Sequence, residues 1–428
     1  MPFNNKHFKT ALRDPVLKWI DTVKHVDILV GIPTYNNDET IGYVVSQVGE
    51  GLKKYYGDFK TAVFVADGGS VDDTREEIFK ELIPEGIEKK VFIYRGLPGK
   101  GTSFRAVFEC ADRLSAEAVL VFDSDLRSIS PEWIQWMAEP ILTKKADYCT
   151  PYYMRHPLDG TITNMIVYPL TAAIFGKNIR QPIGGDFSLS RSLAKYYLSQ
   201  DVWHTDVAKF GIDIWMTLTA VIENFKISQV TLGNKIHNPK DPASDLSIMF
   251  FQVISTLFFM MGNNMDKWRG DYHYSDVEIM SSCCGSTEMH EVSISLSKLR
   301  QEFEEGFNHF RPMYEHVLEP ETFDELSGVI SHLRKEDEFK LEAELWAKIL
   351  YDFFYVYYLW KRNRRRLVDI ITPLYFGRTG TFCSQVMNKS LEESEDVIRE
   401  QVKVFIKNRG YLVRKFDGKT SIKIEPAF

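Results

Sequence analysis

Apolar positions in the first third of the chain fall into short runs, each followed by a loop rich in Gly, Pro, Asn or Asp and then by a stretch of helical periodicity. Val26 to Ile32 is a β-branched run that predicts a strand, and Pro33-Thr34-Tyr35-Asn36-Asn37 leads from it into the helical pattern of Thr40 to Leu52. A second strand, Thr61 to Ala66, meets the turn Asp67-Gly68-Gly69-Ser70, after which Asp72-Asp73 opens a helix over Thr74 to Leu82. Strand Lys90 to Tyr94, loop Pro98 to Gly101, helix Ser103 to Leu114 and strand Ala118 to Phe122 continue the series. This alternation predicts a mainly parallel sheet covered by helices. From Ala146 to about Asn238 the pattern is mixed, with helical segments at Ile162 to Phe175 and Asp213 to Asn224 and a strand at Ile227 to Leu232. Beyond Leu246 it reads mostly helical: Leu296, Leu299, Phe303, Phe307 and Phe310 recur at helical spacing, as do apolar residues in Ala343 to Trp360.

Composition narrows the class without naming it. The 428 residues are 44% hydrophobic and 26% charged, ordinary for a soluble globular protein, and a net charge of −7 gives no support for nucleic-acid binding. Five cysteines without C-x-x-C spacing (Cys110, Cys149, Cys283, Cys284, Cys383) fit a reducing compartment, and Met1 to Lys24 lacks the apolar core of a signal peptide, so a cytoplasmic location is expected. Leu246 to Met261 is interrupted by Ser247, Gln252 and Ser255 and is shorter than the roughly 20 residues of a membrane span, so a buried helix is expected. The aromatic run Tyr351 to Trp360, which enters Lys361-Arg362 and Arg364-Arg365-Arg366, reads either as a membrane-surface patch or as a core or dimer helix with a solvated basic end; the second is favoured.

The chemistry gathers at the predicted strand ends. Asp123 and Asp125 emerge at the carboxyl end of Ala118 to Phe122, where open α/β sheets bind ligands. In an extended segment residues i and i+2 face the same way, so Asp123-Ser124-Asp125 would offer two hard oxygen donors to a divalent cation, with Ser124 turned aside. Pro98-Gly99-Lys100-Gly101 brings flexible backbone and one cation to a diphosphate, yet lacks the full pattern of a P-loop. Gly68 and Gly69, after Asp67, allow close approach of a ligand, and on its own the segment reads equally as a plain turn.

Taken in order, Ile32 to Thr40 and Val65 to Thr74 resemble the nucleotide-sugar half of GT-A glycosyltransferases. Pro98 to Gly101 followed by Asp123-Ser124-Asp125, then Gln181-Pro182-Ile183-Gly184-Gly185-Asp186 and Phe210-Gly211-Ile212-Asp213, resemble segments of the retaining GT-A enzymes that make glucosyl-3-phosphoglycerate, glucosylglycerate or mannosylglycerate. Ile183 and Asp186 depart conservatively from the Leu and Glu of that group. The similarity runs from about Val26 to Met261 and weakens through the helical tail.

The resemblance implies an α/β fold of GT-A, Rossmann-like type with a mostly helical C-terminal region. Its expected divisions are an extension at 1–25, a nucleotide-sugar half at 26–145, an acceptor half at 146–290 and a helical region at 291–428. It implies that Pro33, Thr34, Tyr35, Asn36, Glu39, Asp67, Gly68, Ser70, Gly99, Lys100, Asp123, Ser124, Gly184 and Gly185 surround the nucleotide sugar, and that Ile183, Asp186 and Asp213 meet the transferred hexose. His237 falls where the group places its third metal ligand, with Asp125 as the carboxylate and Asp123 as either a further ligand or a ribose partner. Manganese, magnesium or cobalt suits such a set. The segment Met154 to Asn164 resembles the acceptor loop and implicates Arg155, Asp159, Gly160, Thr161, Thr163 and Asn164. Arg155 can fork onto a carboxylate. Where the phosphoglycerate enzymes read G-R-x-T, this chain has Gly160-Thr161-Ile162-Thr163, which favours D-glycerate over 3-phosphoglycerate, although His156, Arg180 or Lys235 could hold a phosphate instead.

The implied reaction is metal-dependent, retaining transfer of a hexose, glucose favoured over mannose, from a UDP- or GDP-linked donor to glycerate or its 3-phosphate, with a tail able to support a homodimer. An inverting GT-A enzyme acting on a polysaccharide or lipid phosphate is the alternative, and it would need Asp186 or Asp213 as a base. A non-enzymatic nucleotide-sugar binder is a third reading, separated from the others by absence of turnover.

Overall fold

Strands that are apolar on both faces decide the central sheet. β1 (Ile28–Thr34) and β2 (Thr61–Asp67) are buried at every position, as parallel strands between two helical layers must be. The computed structural model describes residues 8–237, 247–280, 292, 294–360 and 362–422. Six further strands join the sheet: β3 (Ile87–Ile93), β4 (Ala118–Val121), β5 (Tyr148–Met154), β6 (Phe187–Ser190), β7 (Ile227–Asn234) and β8 (Ile279–Met280), in the order β8-β7-β5-β6-β4-β1-β2-β3. Only β6 is antiparallel to its neighbours, β4 and β5. The chain runs outward from β1 through β2 to β3 and returns to β4 on the other side of β1, so the loops after β1 and β4 part at a switch point. Beneath them Ile28, Val30 and Ile32 pack with Val44 and Val48 of helix Asp38–Tyr56 and Ile134 of helix Pro131–Leu142.

The α/β expectation holds, with shifted edges. Helix Lys100–Arg113 begins three residues before the predicted Ser103, so Lys100 is fixed in its first turn. The turn can pack there because Gly101 carries no side chain: a Cβ on it would sit 1.8 Å from the Val207 carbonyl oxygen, and the Gly101 N–H donates to the Lys209 carbonyl at 3.2 Å. Gly101→Ala is therefore expected to push apart two backbones and destabilise the protein by about 3 kcal/mol or more, read from chemical denaturation. A change within 0.5 kcal/mol would show that the two segments are not held together.

The described residues fall into two compact units, one within the ranges Met1–Arg155, Arg180–Asn238 and Val277–His290 and the other within His156–Ile179, Pro239–Asp276 and Glu291–Phe428. The second therefore takes in 156–179 and 239–276, segments that the division at 290 assigned to the acceptor half. Its long helices are Ser247–Asn263, Leu296–Val317, Pro320–Glu336, Ala343–Leu359, Arg364–Val386 and Leu391–Phe416. The helix predicted over Ile162 to Phe175 opens with a π-turn, Thr163–Val167, before the α-helix Tyr168–Phe175. Tyr351, Phe353, Phe354, Val356 and Tyr357 are buried, so most of the aromatic run is core of this unit, the reading favoured from the sequence. Among the described residues no helix is long and apolar enough to cross a membrane. Cys110, Cys149 and Cys383 are free buried thiols; Cys283 and Cys284 lie outside the described residues.

Candidate active site

The loops after β1 and β2 are laced together. Ser70 donates from both its amide and its hydroxyl to Asp67 Oδ1 (2.9 and 2.7 Å), and the Gly69 amide donates to the same oxygen at 3.1 Å. The Asn36 amide donates to Ser70 Oγ at 2.9 Å, and Gly68 N–H to the Thr34 carbonyl at 2.8 Å. This leaves Asp67 Oδ2 and Thr34 Oγ1 buried without a hydrogen-bond partner among the described residues, with Arg75 Nε 3.7 Å from Asp67 Oδ2. A buried acceptor without a donor costs about 1–3 kcal/mol, which a ligand hydroxyl or imide would recover. Tyr35 is 58% exposed and lies against Gly68, while Pro33 stays within β1. Glu39 forms an exposed ion pair with Arg127 at 2.9 Å, and Ser124, 7% exposed, is tied through its carbonyl to Thr40 Oγ1 at 2.8 Å.

Beside these loops two ammonium groups sit among three carboxylates. Lys100 Nζ lies 2.8 Å from Asp123 Oδ1 and 3.1 Å from Asp213 Oδ2. Lys235 Nζ lies 3.0 Å from both Asp123 Oδ2 and Asp186 Oδ2 and donates to the Gly184 carbonyl at 2.8 Å. Burial works against the charge on Lys100, but Asp123 and Asp213 outweigh it and raise the ammonium above its ordinary value. Burial likewise opposes ionisation of Asp123, yet Lys100 and Lys235 hold its carboxyl well below the usual range. Asp186 and Asp213 go the other way: burial raises both, with the Asp123 charge adding to it, and Asp213 reaches about 6 against the pull of Lys100.

The two acids expected to meet the sugar now separate. Asp186 is fully buried and engaged at both oxygens: Oδ1 accepts from the Asp123 amide at 2.7 Å, and Oδ2 accepts from Tyr153 O–H and Lys235. It holds Asp123 and Lys235 in place, a positioning role the sequence did not suggest. Asp213 Oδ1, by contrast, is buried with no hydrogen-bond partner among the described residues. Ile183 is half-buried and apolar, able only to shape the site. The glycines after it let the backbone close on the charges: Gly185 has φ +93°, and a Cβ there would lie 2.0 Å from Asp123 Oδ2; one on Gly184 would lie 2.2 Å from Pro151 Cγ. Gln181 fastens this loop to β5, accepting from the Tyr153 amide at 3.1 Å and donating to its carbonyl at 2.9 Å. At that point β5 bulges between Tyr152 and Tyr153, which aims the Tyr153 ring at Asp186.

The expectation that Asp123 and Asp125 share one face also needs correction. β4 stops at Val121 and the chain turns at 124–125, so the i, i+2 rule no longer applies. Asp123 points at two lysines, a poor place for a cation. Asp125 precedes Leu126, which forms an antiparallel bridge with His237, and the Arg127 amide donates to the Ile236 carbonyl at 2.8 Å. Arg155 Nη2 lies 3.1 Å from His237 Nε2. A guanidinium can only donate, so Nε2 accepts from it through the lone pair that a metal would use in its place. Among the described residues no group of three or more His, Cys, Asp or Glu is gathered to hold a metal. The carboxylate of Asp125 and the imidazole of His237 nevertheless fit a cation whose remaining ligands are diphosphate oxygens.

The expected acceptor residues from 159 to 164 belong to the helical unit. Gly160 takes φ +73°, and Asp159 donates its amide to the His156 carbonyl at 2.8 Å. Thr161 is 1% exposed and its hydroxyl meets Tyr375 O–H at 2.5 Å; Thr163 is also buried. Asn164 donates to the carbonyls of Pro157 (3.2 Å) and Asp159 (3.4 Å). Thr161 and Asn164 thus shape the loop from within, a role their polar side chains did not suggest. Lys235, considered beforehand only as a phosphate partner, and Tyr153 and Arg75, which drew no attention, join the site through contacts across the sequence. The spacing of Lys235 two residues before His237 is the one local sign.

The comparisons agree with the motifs. The model of the mannosylglycerate synthase GT domain matches residues 56–258. Glucosyl-3-phosphoglycerate synthase of Mycolicibacterium paratuberculosis is 26% identical over 271 residues, 55% of this chain and 72% of the relative. That of Mycobacterium tuberculosis is 25% identical over 268 residues, 55% and 74%. A crystal structure of the Mycobacterium tuberculosis glucosyl-3-phosphoglycerate synthase with Mn2+, UDP and glucosyl-3-phosphoglycerate is similar with a TM-score of 0.44 at 24% identity, covering 59% of this chain and 87% of that one. The chain is a GT-A glycosyltransferase that resembles these synthases in sequence.

Proposed function

We propose that this nucleotide-sugar hexosyltransferase moves a hexose, glucose in first place, from a nucleoside diphosphate sugar to the 2-hydroxyl of D-glycerate with retention at the anomeric carbon. The observation that carries the proposal is the buried, unpartnered Asp213 Oδ1 beside Lys100, near the carboxyl ends of the switch-point strands. Asp213 is placed to accept from a sugar hydroxyl while Lys100 brings positive charge to the diphosphate, where negative charge grows as the bond to C1 breaks. Held by Asp125 and His237, a divalent cation would add Lewis-acid stabilisation of the same leaving group. Asp186 is engaged by Tyr153 and Lys235, and Asp213 spends its open oxygen on a sugar hydroxyl, so in this reading neither serves as the base. In same-face substitution the C1–O bond to phosphate breaks, the C1–O2 bond to glycerate forms, and the acceptor proton passes to the departing phosphate oxygen. This supports retention over the inverting alternative.

The relatives are named for 3-phosphoglycerate, and the family model for mannosylglycerate. D-glycerate is favoured here because Thr161 stands where the phosphoglycerate enzymes carry an arginine, and its hydroxyl is taken by Tyr375. Steady-state comparison of the two acceptors tests this: a higher kcat/KM with D-glycerate is expected, and a tenfold preference for 3-phosphoglycerate would reverse the assignment. Arg155→Ala should raise the acceptor KM by about tenfold, the loss of one charge-assisted hydrogen bond, with kcat changed little. An unaltered acceptor KM would remove Arg155 from the site.

Asp213 also sets an acid limb. Its carboxyl must be ionised to hold Lys100 and accept from the sugar, so kcat/KM should fall as pH drops through about 6. For stability the sign is opposite. A carboxyl raised from 3.8 to about 6 binds more protons in the folded state, so its contribution to stability is lost as pH rises across that window. Asp213→Asn should flatten the acid limb of the rate profile; a limb unchanged in the variant assigns it to another group.

A further inference from the structure

We infer that Gln401 is a positioning residue for the acceptor: from helix Leu391–Phe416 it fixes the loop that leads into the π-turn, so the helical unit takes part in acceptor recognition. The inference rests on the reading of Met154 to Asn164 as the acceptor segment. Its physical origin is Pro169. In the π-turn the Tyr168 N–H donates to the Thr163 carbonyl, five residues back, and is no longer the α-helical donor to Asn164. The next residue that could reach the Asn164 carbonyl is Pro169, which has no N–H. Met165 loses its α-helical donor to the same proline. Asn164 and Met165 are 3% and 0% exposed, so bulk water does not answer these carbonyls, and a buried carbonyl without a donor is costly.

Two side chains of the helical unit supply what the backbone lacks. Gln401 Nε2 donates to the Asn164 carbonyl at 2.7 Å, and Trp346 Nε1, on helix Ala343–Leu359, donates to the Met165 carbonyl at 2.8 Å. The other end of the Gln401 amide is fixed as well, because its Oε1 accepts from Arg378 Nε at 2.9 Å; turning the amide over would break both bonds. Asn164 carries the constraint into the loop. Its N–H donates to the Gly160 carbonyl at 3.0 Å, and its side-chain amide donates to the carbonyls of Pro157 at 3.2 Å and Asp159 at 3.4 Å. One residue thus ties Pro157, Asp159 and Gly160 to Gln401. Those three are half-buried, whereas Thr161, Thr163 and Asn164 are closed off, so the stretch 157–160 is the part of the loop open to a small acceptor. A shift of Asn164 moves that stretch as a whole, and a displacement of about 1 Å is enough to spoil the placement of a substrate.

Gln401→Glu separates this role from a general effect on folding. The carboxylate keeps the oxygen that Arg378 uses and sets a negative charge beside the guanidinium, but it has no N–H for Asn164. Steady-state kinetics on the full chain with Mn2+, UDP-glucose and whichever of D-glycerate or 3-phosphoglycerate is turned over should show the acceptor KM raised about tenfold or more, with kcat and the donor KM changed by less than about twofold. Gln401→Met, which loses the same donor without introducing a buried carboxylate, should give the same result and serves if the first variant does not fold. Gln385→Leu is the control: it removes hydrogen bonds to Arg378 and Glu342 and none to the loop among the described residues, and should leave the acceptor KM unchanged. An acceptor KM unaltered in the Gln401 variants, a fall in kcat as large as the rise in KM, or an equal rise in Gln385→Leu would each overturn the inference. Arg155→Ala, measured beside them, distinguishes the two levels of failure. A KM raised by Arg155→Ala alone removes the role of Gln401, and a KM raised by none of the variants removes the acceptor reading with it.

Discussion

Lys100→Met is expected to lower kcat/KM by about 10³-fold, the scale seen when one preorganised donor to a developing negative charge is removed. Lys100 touches two of the three acids in the cluster, so its loss leaves Asp123 and Asp213 opposed by Lys235 alone. With the three side chains 13%, 22% and 11% exposed, the uncompensated charge should also cost about 2–3 kcal/mol of stability, less than for a fully buried pair. The two effects separate by measurement. Denaturation reports the charge balance of the folded state, while kcat/KM at a temperature where the variant is folded reports the transition state. A variant that loses stability but keeps its rate would make Lys100 a structural counter-ion and remove it from the reaction.

His237→Ala is expected to abolish detectable turnover and to remove the effect of Mn2+ on UDP affinity measured by calorimetry. The bridge between Leu126 and His237 brings the imidazole to the segment that follows Asp125, and its Nε2 accepts from Arg155. Removing it leaves one carboxylate, which binds a divalent ion weakly. Asp125→Ala should behave the same way. Both side chains are half-buried and neither fills the core, so the folded state should be kept in each variant. UDP binding that still gains from Mn2+ in His237→Ala would show that the cation is held elsewhere, and full activity in either variant would refute the assignment.

The strands were legible because runs such as Ile28 to Ile32 and Ala62 to Ala66 are apolar without interruption, which only a sheet covered on both faces accommodates. Asp67, Lys100, Asp123 and His237 could be picked out since each follows or opens an element whose edge the sequence marks. The geometry that follows β4 was not legible: the prediction that Asp123 and Asp125 project together assumed an extended chain, and the turn at 124–125 sends Asp123 inward to Lys100 and Lys235. Asp186 and Asp213 look alike in sequence, yet Tyr153, 33 residues from Asp186, occupies one and leaves the other open. Thr161 reads as a ligand-facing hydroxyl until Tyr375, 214 residues away, is seen to take it. Long-range partners of this kind leave no local pattern, and the same holds for the membership of 156–179 in the helical unit.

The central claim is tested most directly by incubating the purified protein with Mn2+, UDP- and GDP-linked glucose and mannose, and D-glycerate or 3-phosphoglycerate. The products are then identified by mass spectrometry and anomeric proton coupling. An α-hexosylglycerate is predicted, formed faster from D-glycerate and with the glucosyl donor preferred. A β-linked product, or donor binding with no transfer to either acceptor, would contradict the account and favour an inverting enzyme with a larger acceptor.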